Sequence, residues 1–101
     1  METIGARLEQ AFAFVTLADT GNFTRAAARL SRSKAWLSKQ VAALERALGA
    51  QLVMRTTRRV ALTESGKLYL DYCRQLRDTL GEAERAVSAV NSEVTGTIRL
   101  T

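Results

Sequence analysis

The chain has 101 residues, of which 47% are hydrophobic and 25% charged, so it has room for one small globular domain. It has no histidine and one cysteine, Cys73, which removes the commonest general base and excludes an internal disulfide or a multi-thiolate metal site. We therefore expect no catalytic residues, no metal and no cofactor. The net charge of +5 is concentrated between Arg25 and Arg59, where nine basic residues and one acidic residue give +8. Such a segment is typical of a surface that binds phosphates, although solvated charges alone would give the same count.

The first two predicted elements are helices. Apolar residues recur at three- and four-residue steps up to residue 18, and the Asp-Thr-Gly-Asn segment 19–22 then ends the pattern. The inner face of this first helix is predicted to contain Leu8, Ala11, Phe12, Val15 and Ala18. A short second helix follows, with the Thr24 hydroxyl able to cap its amides and with Ala27 and Leu30 turned inward.

A third helix is predicted from about Lys34 to Leu48. Ser33 can cap its start, and Gly49 can adopt the left-handed conformation that ends it. Its apolar stripe is Leu37, Val41, Leu44 and Leu48. Helical steps of about 100° place Ala35, Lys39, Ala42 and Arg46 opposite that stripe, with Trp36, Ser38 and Ala43 beside them.

β-Branched residues on both sides of the basic segment 55–59 predict a short hairpin, a wing with a basic tip. Thr63 can then cap a long helix that runs to about Val94. A heptad seam follows this helix and consists of Tyr69, Cys73, Leu76, Leu80, Ala83, Val87, Val90 and Val94. The preceding domain explains burial of the first turns but is too short to cover about thirty residues of helix, so the seam predicts self-association.

Two helices joined by a short turn, then a hairpin, predict a mainly α, winged helix-turn-helix fold that continues into a dimerisation helix. The third helix would enter a DNA major groove, where the small Ala35 and Ala42 allow close approach. Ser38 and Lys39 would reach base edges, with Lys39 donating to guanine or to phosphate. Lys34 opposes the helix dipole and so indicates an anionic neighbour, although a solvated lysine is equally consistent.

Two further side chains, Trp36 and Arg55, have two interpretations each, and Arg58 has one. Trp36 either closes the core against the first two helices or packs its ring on DNA. Arg58 is placed to enter a narrow minor groove, whereas Arg55 either contacts DNA or supports the hairpin by pairing or stacking.

The segments FVTLADTGNFTRAAARL, SKAWLSKQVAALERALGAQLVMR and TRRVALTESG resemble the amino-terminal domain of LysR-type transcriptional regulators, and the likeness extends from about Leu8 to Leu80. The resemblance implies a sequence-specific double-stranded DNA-binding regulator. Its domains would be a winged helix-turn-helix at 1–63, a linker helix at 64–94, and at 95–101 a hinge and the first strand of a missing effector-binding domain.

The resemblance also implies partners and contacts. The linker helix would pair antiparallel in a homodimer on a dyad-symmetric promoter site, with a tetramer allowed in the full-length protein and a small-molecule inducer bound only by the missing domain. Thr24 and Ser33 would contact phosphates, Lys34 and Ser38 the major groove, and Arg58 the minor groove.

Several positions depart from the family pattern. The family usually has Gln-Pro-Ala where this chain has Lys34-Ala35-Trp36, commonly Arg at Lys39, and Leu-Phe at Leu52-Val53. The recognised DNA sequence therefore cannot be transferred, because Lys does not match the bidentate geometry of Arg on guanine. An alternative function is a winged-helix module that binds only proteins.

No apolar run reaches the roughly 20 residues needed to span a bilayer, and the start lacks the basic-then-apolar pattern of a secretory signal. We expect a cytoplasmic protein, and the resemblance implies a bacterial one associated with the nucleoid.

Overall fold

The computed structural model describes residues 3–54 and 59–95 and has the predicted mainly α architecture. In chain order the elements are α1 (Ile4–Thr20), α2 (Phe23–Arg29), α3 (Lys34–Leu48), β1 (Val53–Met54), β2 (Ala61–Leu62) and α4 (Glu64–Thr95). The two strands are antiparallel, with Val53 opposite Leu62 and Met54 opposite Ala61, so the predicted hairpin is confirmed.

Most helix ends follow from local capping chemistry. The Ser33 hydroxyl accepts the amide of Trp36 at 3.0 Å and so starts α3, while Gly49, at φ 66°, ends it. The Thr63 hydroxyl accepts the amide of Gly66 at 2.9 Å and starts α4. These three predicted caps are confirmed.

The predicted cap of α2 is wrong. The Asn22 side chain, not the Thr24 hydroxyl, accepts a hydrogen bond from the free amide of Arg25 at 2.9 Å. Asn22 has the extended backbone of an N-cap residue, whereas Thr24 already lies inside the first turn and is exposed. Asparagine is as good a cap as serine, so the hydroxyl was not needed.

The core lies where α1, α2, α3, the hairpin and the first turns of α4 meet. Its largest fully buried side chains are Phe14, Leu17, Leu37, Leu44, Leu52, Val41, Val53 and Cys73. The predicted inner face of α1 is only partly right: Ala11 and Val15 are buried, but Phe14 and Leu17 are the fully buried positions and Leu8 is exposed. Because α1 contacts α2, α3 and α4, its buried arc is wider than one stripe.

The stripe of α3 also needs one correction. Leu37, Val41 and Leu44 are fully buried as predicted, but Leu48 is 37% exposed. Leu48 is the last residue of the helix, directly before the Gly49 cap.

Two contacts fix the flanking elements on this core. The backbone amide of Val60 donates to the Gly21 carbonyl at 3.3 Å, which ties the hairpin to the turn between α1 and α2. Asp19, near the end of α1, pairs with Arg74 at 2.6 Å and with Arg77 at 3.7 Å on α4. The long helix is therefore anchored to the globular part by its first turns.

None of the helices within the described ranges has the length and apolar character needed to cross a membrane.

Candidate nucleic-acid interface

The outward side of α3 presents small and cationic side chains. Packing of Leu37, Val41 and Leu44 into the core turns Lys34, Ala35, Ser38 and Lys39 to the surface, where all four are exposed. The first turn of α3 contains no acidic residue. The amides at this end carry the positive end of the helix dipole, so the surface attracts an anion.

Ser33 combines two roles at this end of the helix. Its oxygen accepts the Trp36 amide, which leaves the hydroxyl proton able to donate outward. Ser33 is exposed, so a phosphate oxygen can approach it.

Glu45 is the one acidic residue of α3, and its carboxylate is hydrogen-bonded to the segment that leads into β1. One of its oxygens accepts the amides of Leu52 at 2.7 Å and Val53 at 3.1 Å. These charge-assisted hydrogen bonds fasten the start of β1 to α3. The sequence analysis treated Glu45 only as a charge, and its role depends on a contact seven residues away that periodicity does not reveal.

Trp36 lies at the edge of the core, and its side chain is half-buried against it. The Arg32 guanidinium lies 4.5 Å from the centre of the Trp36 ring, a cation–π contact, and a second contact pairs Arg32 with Glu9 at 3.7 Å. Packing against the core thus buries part of the Trp36 ring and leaves the rest exposed. Arg32 and Glu9 were not predicted, because they come from the helix-turn-helix turn and from α1.

The wing residues Arg55 and Arg58 lie outside the described residues, so their predicted contacts stay predictions. Beside the hairpin, however, there is a polar cleft of about 290 Å³. It is lined by Thr20, Gly21, Asn22, Arg25, Arg59 and Val60, among which there is no acidic residue. Arg25 and Arg59 were not singled out from the sequence, although both lie in its +8 segment.

The predicted seam of α4 divides into two parts. Cys73 is buried in the core of the same chain, and the Tyr69 ring packs against Phe14 at a centroid distance of 6.0 Å. Burial raises the pKa of the Cys73 thiol and that of the Tyr69 hydroxyl. Farther along, Leu76, Leu80, Ala83, Val87 and Val90 are all exposed. Among the seam side chains that the structure describes, these five are the exposed ones, and the side chain of Val94 lies outside that part of the chain.

Within residues 3–54 and 59–95, no group of three or more Asp, Glu, Cys or His side chains is placed to hold a metal ion.

Comparison with protein families gives a match to the model described as bacterial regulatory helix-turn-helix protein, lysR family, over residues 8–67. An HTH-type transcriptional regulator of Xanthomonas campestris pv. campestris (strain 8004) is 40% identical over 94 residues, which are 93% of this chain and 27% of the relative. The HTH-type transcriptional regulator PtxR of Pseudomonas aeruginosa is 41% identical over 97 residues, covering 93% of this chain and 30% of PtxR. The chain thus spans under a third of the length of these relatives.

Solved structures of the same fold include complexes with DNA. The BenM DBD bound to benA site 1 DNA superposes with a TM-score of 0.78 at 29% identity, covering 89% of this chain and 99% of that one. The CbnR DBD–DNA complex superposes with a TM-score of 0.74 at 31% identity, covering 90% of this chain and 99% of that one. Full-length LTTR LysG from Corynebacterium glutamicum superposes with a TM-score of 0.79 at 29% identity, covering 85% of this chain and 30% of LysG.

Proposed function

The chain belongs to the lysR family of bacterial regulatory helix-turn-helix proteins, and from this premise we propose that it is the DNA-reading part of a sequence-specific transcriptional regulator that acts as a homodimer. The observation that carries the proposal is the exposed side of α3. Its first two turns present the side chains of Lys34, Ala35, Ser38 and Lys39 to solvent, and its first turn has no acidic residue. The known DNA complexes of BenM and CbnR, which share the fold, support the same ligand.

In this proposal α3 lies in the major groove. Ala35 has a side chain short enough to let the helix approach the base edges, and Ser38 and Lys39 donate to them. Lys34 and the Ser33 hydroxyl face phosphates beside the groove. Trp36 contacts DNA through the part of its ring that the core leaves exposed.

The flanking elements supply the sequence-independent contacts. Arg58 is proposed to enter the minor groove and Arg55 to contact the backbone beside it. Thr24 is exposed in the first turn of α2, and it would donate to a phosphate without being the cap of that helix. The nearby cleft adds two guanidinium groups, those of Arg25 and Arg59.

Residues 1–63 form the proposed reading domain and residues 64–94 the linker helix, although Leu70 and Cys73 of that helix also complete the core. The dimer contact is proposed along the exposed seam, Leu76, Leu80, Ala83, Val87 and Val90. Residues 95–101 would lead into an effector-binding domain that binds the inducer and permits a tetramer. Because the proposed ligand is bacterial chromosomal DNA, we place the protein in the cytoplasm with the nucleoid.

The test begins with selection of a duplex from a random pool, followed by measurement of affinity against salt. The logarithm of the affinity should fall steeply with the logarithm of the salt concentration, by about 0.9 per phosphate contact. Lys39→Ala should weaken the selected duplex more than a scrambled one if Lys39 contacts a base, whereas loss of a phosphate contact lowers both equally. Arg85→Ala, on an exposed part of α4, is the matched control. A flat salt dependence with no selected sequence would refute DNA binding and favour the protein-binding alternative.

A further inference from the structure

Trp36 lies in the first turn of α3, beside the surface that is proposed to approach base edges. Its ring is only partly buried against the core, whereas its neighbours Ala35 and Lys39 are exposed. Within the described part of the chain the indole N–H has no hydrogen-bond acceptor, and it is not among the buried polar atoms that lack a partner. The surface of α3 therefore includes an aromatic edge together with an N–H donor that is open to solvent.

A chain of two contacts restrains the Trp36 ring. The guanidinium carbon of Arg32 lies 4.5 Å from the ring centre, and an Arg32 nitrogen lies 3.7 Å from a carboxylate oxygen of Glu9 on α1. The Arg32 and Glu9 side chains are 50% and 53% exposed, so both contacts lie at the surface. Because the planar guanidinium stacks on the ring face, it limits how the ring turns and leaves the ring edge to another partner.

The turn between α2 and α3 fixes the position of Arg32. The amide of Ser31 donates to the Ala28 carbonyl at 3.0 Å, and the amide of Arg32 donates to the Ala27 carbonyl at 2.9 Å. Ser31 has φ 56°, so these bonds form the Schellman ending of α2, in which the chain reverses after a left-handed residue. Arg32 is thus held by α2 and its partner Glu9 by α1, so two helices besides α3 determine where the ring lies.

We propose that Trp36 is a specificity-determining residue that selects a thymine in the major groove, and that Arg32 and Glu9 are positioning residues for its ring. The inference rests on the proposed function and names one base of its DNA site. Thymine is the one base whose major-groove edge carries an apolar group, the C5 methyl, beside an acceptor, O4. The indole edge carries apolar C–H groups beside a donor, so it matches thymine through both contacts. Cytosine presents a donor and no methyl, and the purines present no methyl, so each loses at least one contact.

Glu9 has a specific task in this arrangement. Beside DNA, an exposed guanidinium is attracted to the nearest phosphate, which would draw Arg32 away from the ring. The carboxylate of Glu9 competes with that phosphate and keeps the guanidinium on the ring face. Arg32 and Glu9 act on the ring and not on a base, so their loss should reduce the preference for thymine. The attraction of the chain to phosphates should change only as its net charge changes.

Deoxyuridine scanning of the selected duplex tests the thymine contact. Each thymine of a half-site is replaced in turn with deoxyuridine, which lacks only the C5 methyl, and the affinity is measured by fluorescence anisotropy of the labelled duplex. At one position the unmodified chain should lose about fourfold in affinity, as expected for one buried methyl group. Trp36→Ala should bind the thymine duplex more weakly and show no further loss with deoxyuridine at that position. Arg85→Ala, on an exposed part of α4, is the control and should keep the full methyl preference.

A second measurement concerns the positioning residues. Arg32→Met and Arg29→Met each remove one positive charge, and Arg29 is the matched control because it lies exposed in the last turn of α2. Both substitutions should weaken the attraction to any duplex, but only Arg32→Met should reduce the methyl preference. Glu9→Gln removes a negative charge, so it should reduce the same preference without weakening binding to a scrambled duplex. A purely structural role of these side chains would leave the methyl preference unchanged.

Trp36 is the single tryptophan of the chain, so its fluorescence reports on the ring without any substitution. Acrylamide should quench the ring less in the complex with the selected duplex than in the free chain, because the base covers the indole edge. Equal quenching in both states would overturn the proposed contact. Circular dichroism checks that each variant remains folded.

The outcomes separate this inference from the proposed function. If no duplex is selected from the random pool, the proposed function itself is wrong. If a duplex is selected but no thymine methyl contributes, or if Trp36→Ala keeps the methyl preference, the inference is wrong and the proposed function stands. If Arg32→Met and Glu9→Gln keep the preference that Trp36→Ala loses, the positioning role is wrong. Loss of the preference in Trp36→Ala, with its reduction in Arg32→Met and Glu9→Gln, establishes both parts.

Discussion

Replacing Gly66 with alanine tests how closely α4 is docked against the base of the hairpin. A Cβ atom at Gly66 would lie 2.1 Å from the carbonyl oxygen of Leu52 and 3.0 Å from its carbonyl carbon. Gly66 has an ordinary helical backbone, so the requirement for glycine comes from this contact and not from its torsion angles. Alanine is favoured over glycine in a helix by about 1 kcal/mol, so Gly66→Ala destabilises the chain only if the steric contact costs more than this.

The size of the effect follows from how firmly Leu52 is held. Its carbonyl accepts the Thr63 amide at 3.0 Å, and its own amide donates to Glu45 at 2.7 Å. Relief of the overlap requires a shift of roughly 1 Å, and such overpacking costs about 1–3 kcal/mol or more, with about 1 kcal/mol added for a weakened hydrogen bond. We expect a net loss of about 2 kcal/mol, or roughly 8–16 °C in Tm for a domain of this size.

The matched control is Gly81→Ala on the same helix. A Cβ atom there would meet only the end of the Arg85 guanidinium at 3.3 Å, which can move. The free energy of unfolding of this variant should rise by up to about 1 kcal/mol, because alanine is a better helix former than glycine. Urea unfolding followed by circular dichroism, at one protein concentration, compares the three proteins. If Gly66→Ala is as stable as the unmodified chain, the close docking of α4 on Leu52 is wrong.

Three further predictions concern the seam, the hairpin and the buried thiol. Leu80→Asp should lower the affinity for a duplex with two half-sites by about 10²-fold and leave binding to a single half-site unchanged, as measured by fluorescence anisotropy; equal losses on both would contradict the bivalent account. Glu45→Ala should lower the free energy of unfolding in urea by about 2–3 kcal/mol, because the amides of Leu52 and Val53 lose a charged acceptor, and an unchanged midpoint would argue against that anchor. Burial raises the pKa of the Cys73 thiol above its ordinary value of 9.0, so the unfolded chain ionises first and stability should be lost as pH rises through about 9 and above. Comparison with Cys73→Ala between pH 7 and 10 isolates this contribution, and identical pH profiles would refute it.

Features that depend on neighbouring residues could be predicted from the sequence. Ser33, Gly49 and Thr63 act on amides or carbonyls within a few positions, so their chemistry alone indicates where α3 begins and ends and where α4 begins. The exception, Asn22 in place of Thr24, arose because two good capping residues lie two positions apart. Local chemistry does not choose between them.

Features that depend on distant residues could not be predicted. The centre of the α1 core face at Phe14 is set by helices on several sides, which one apolar stripe does not describe. The heptad seam is continuous in sequence, but its first members belong to the chain's own core, where Tyr69 packs against Phe14 of α1 and Cys73 is buried. The acceptor role of Glu45 and the stacking of Arg32 on Trp36 likewise depend on the folded arrangement.

The central claim is that the outward side of α3 meets DNA, and NMR titration with a selected duplex tests it most directly. Backbone amides of residues 33–39 should shift first and saturate at the stoichiometry of two chains per duplex, with smaller shifts in the first turn of α2. Shifts confined to Leu8, Phe12 and the distal turns of α4, with residues 33–39 unchanged, would contradict the claim and assign the ligand to another surface.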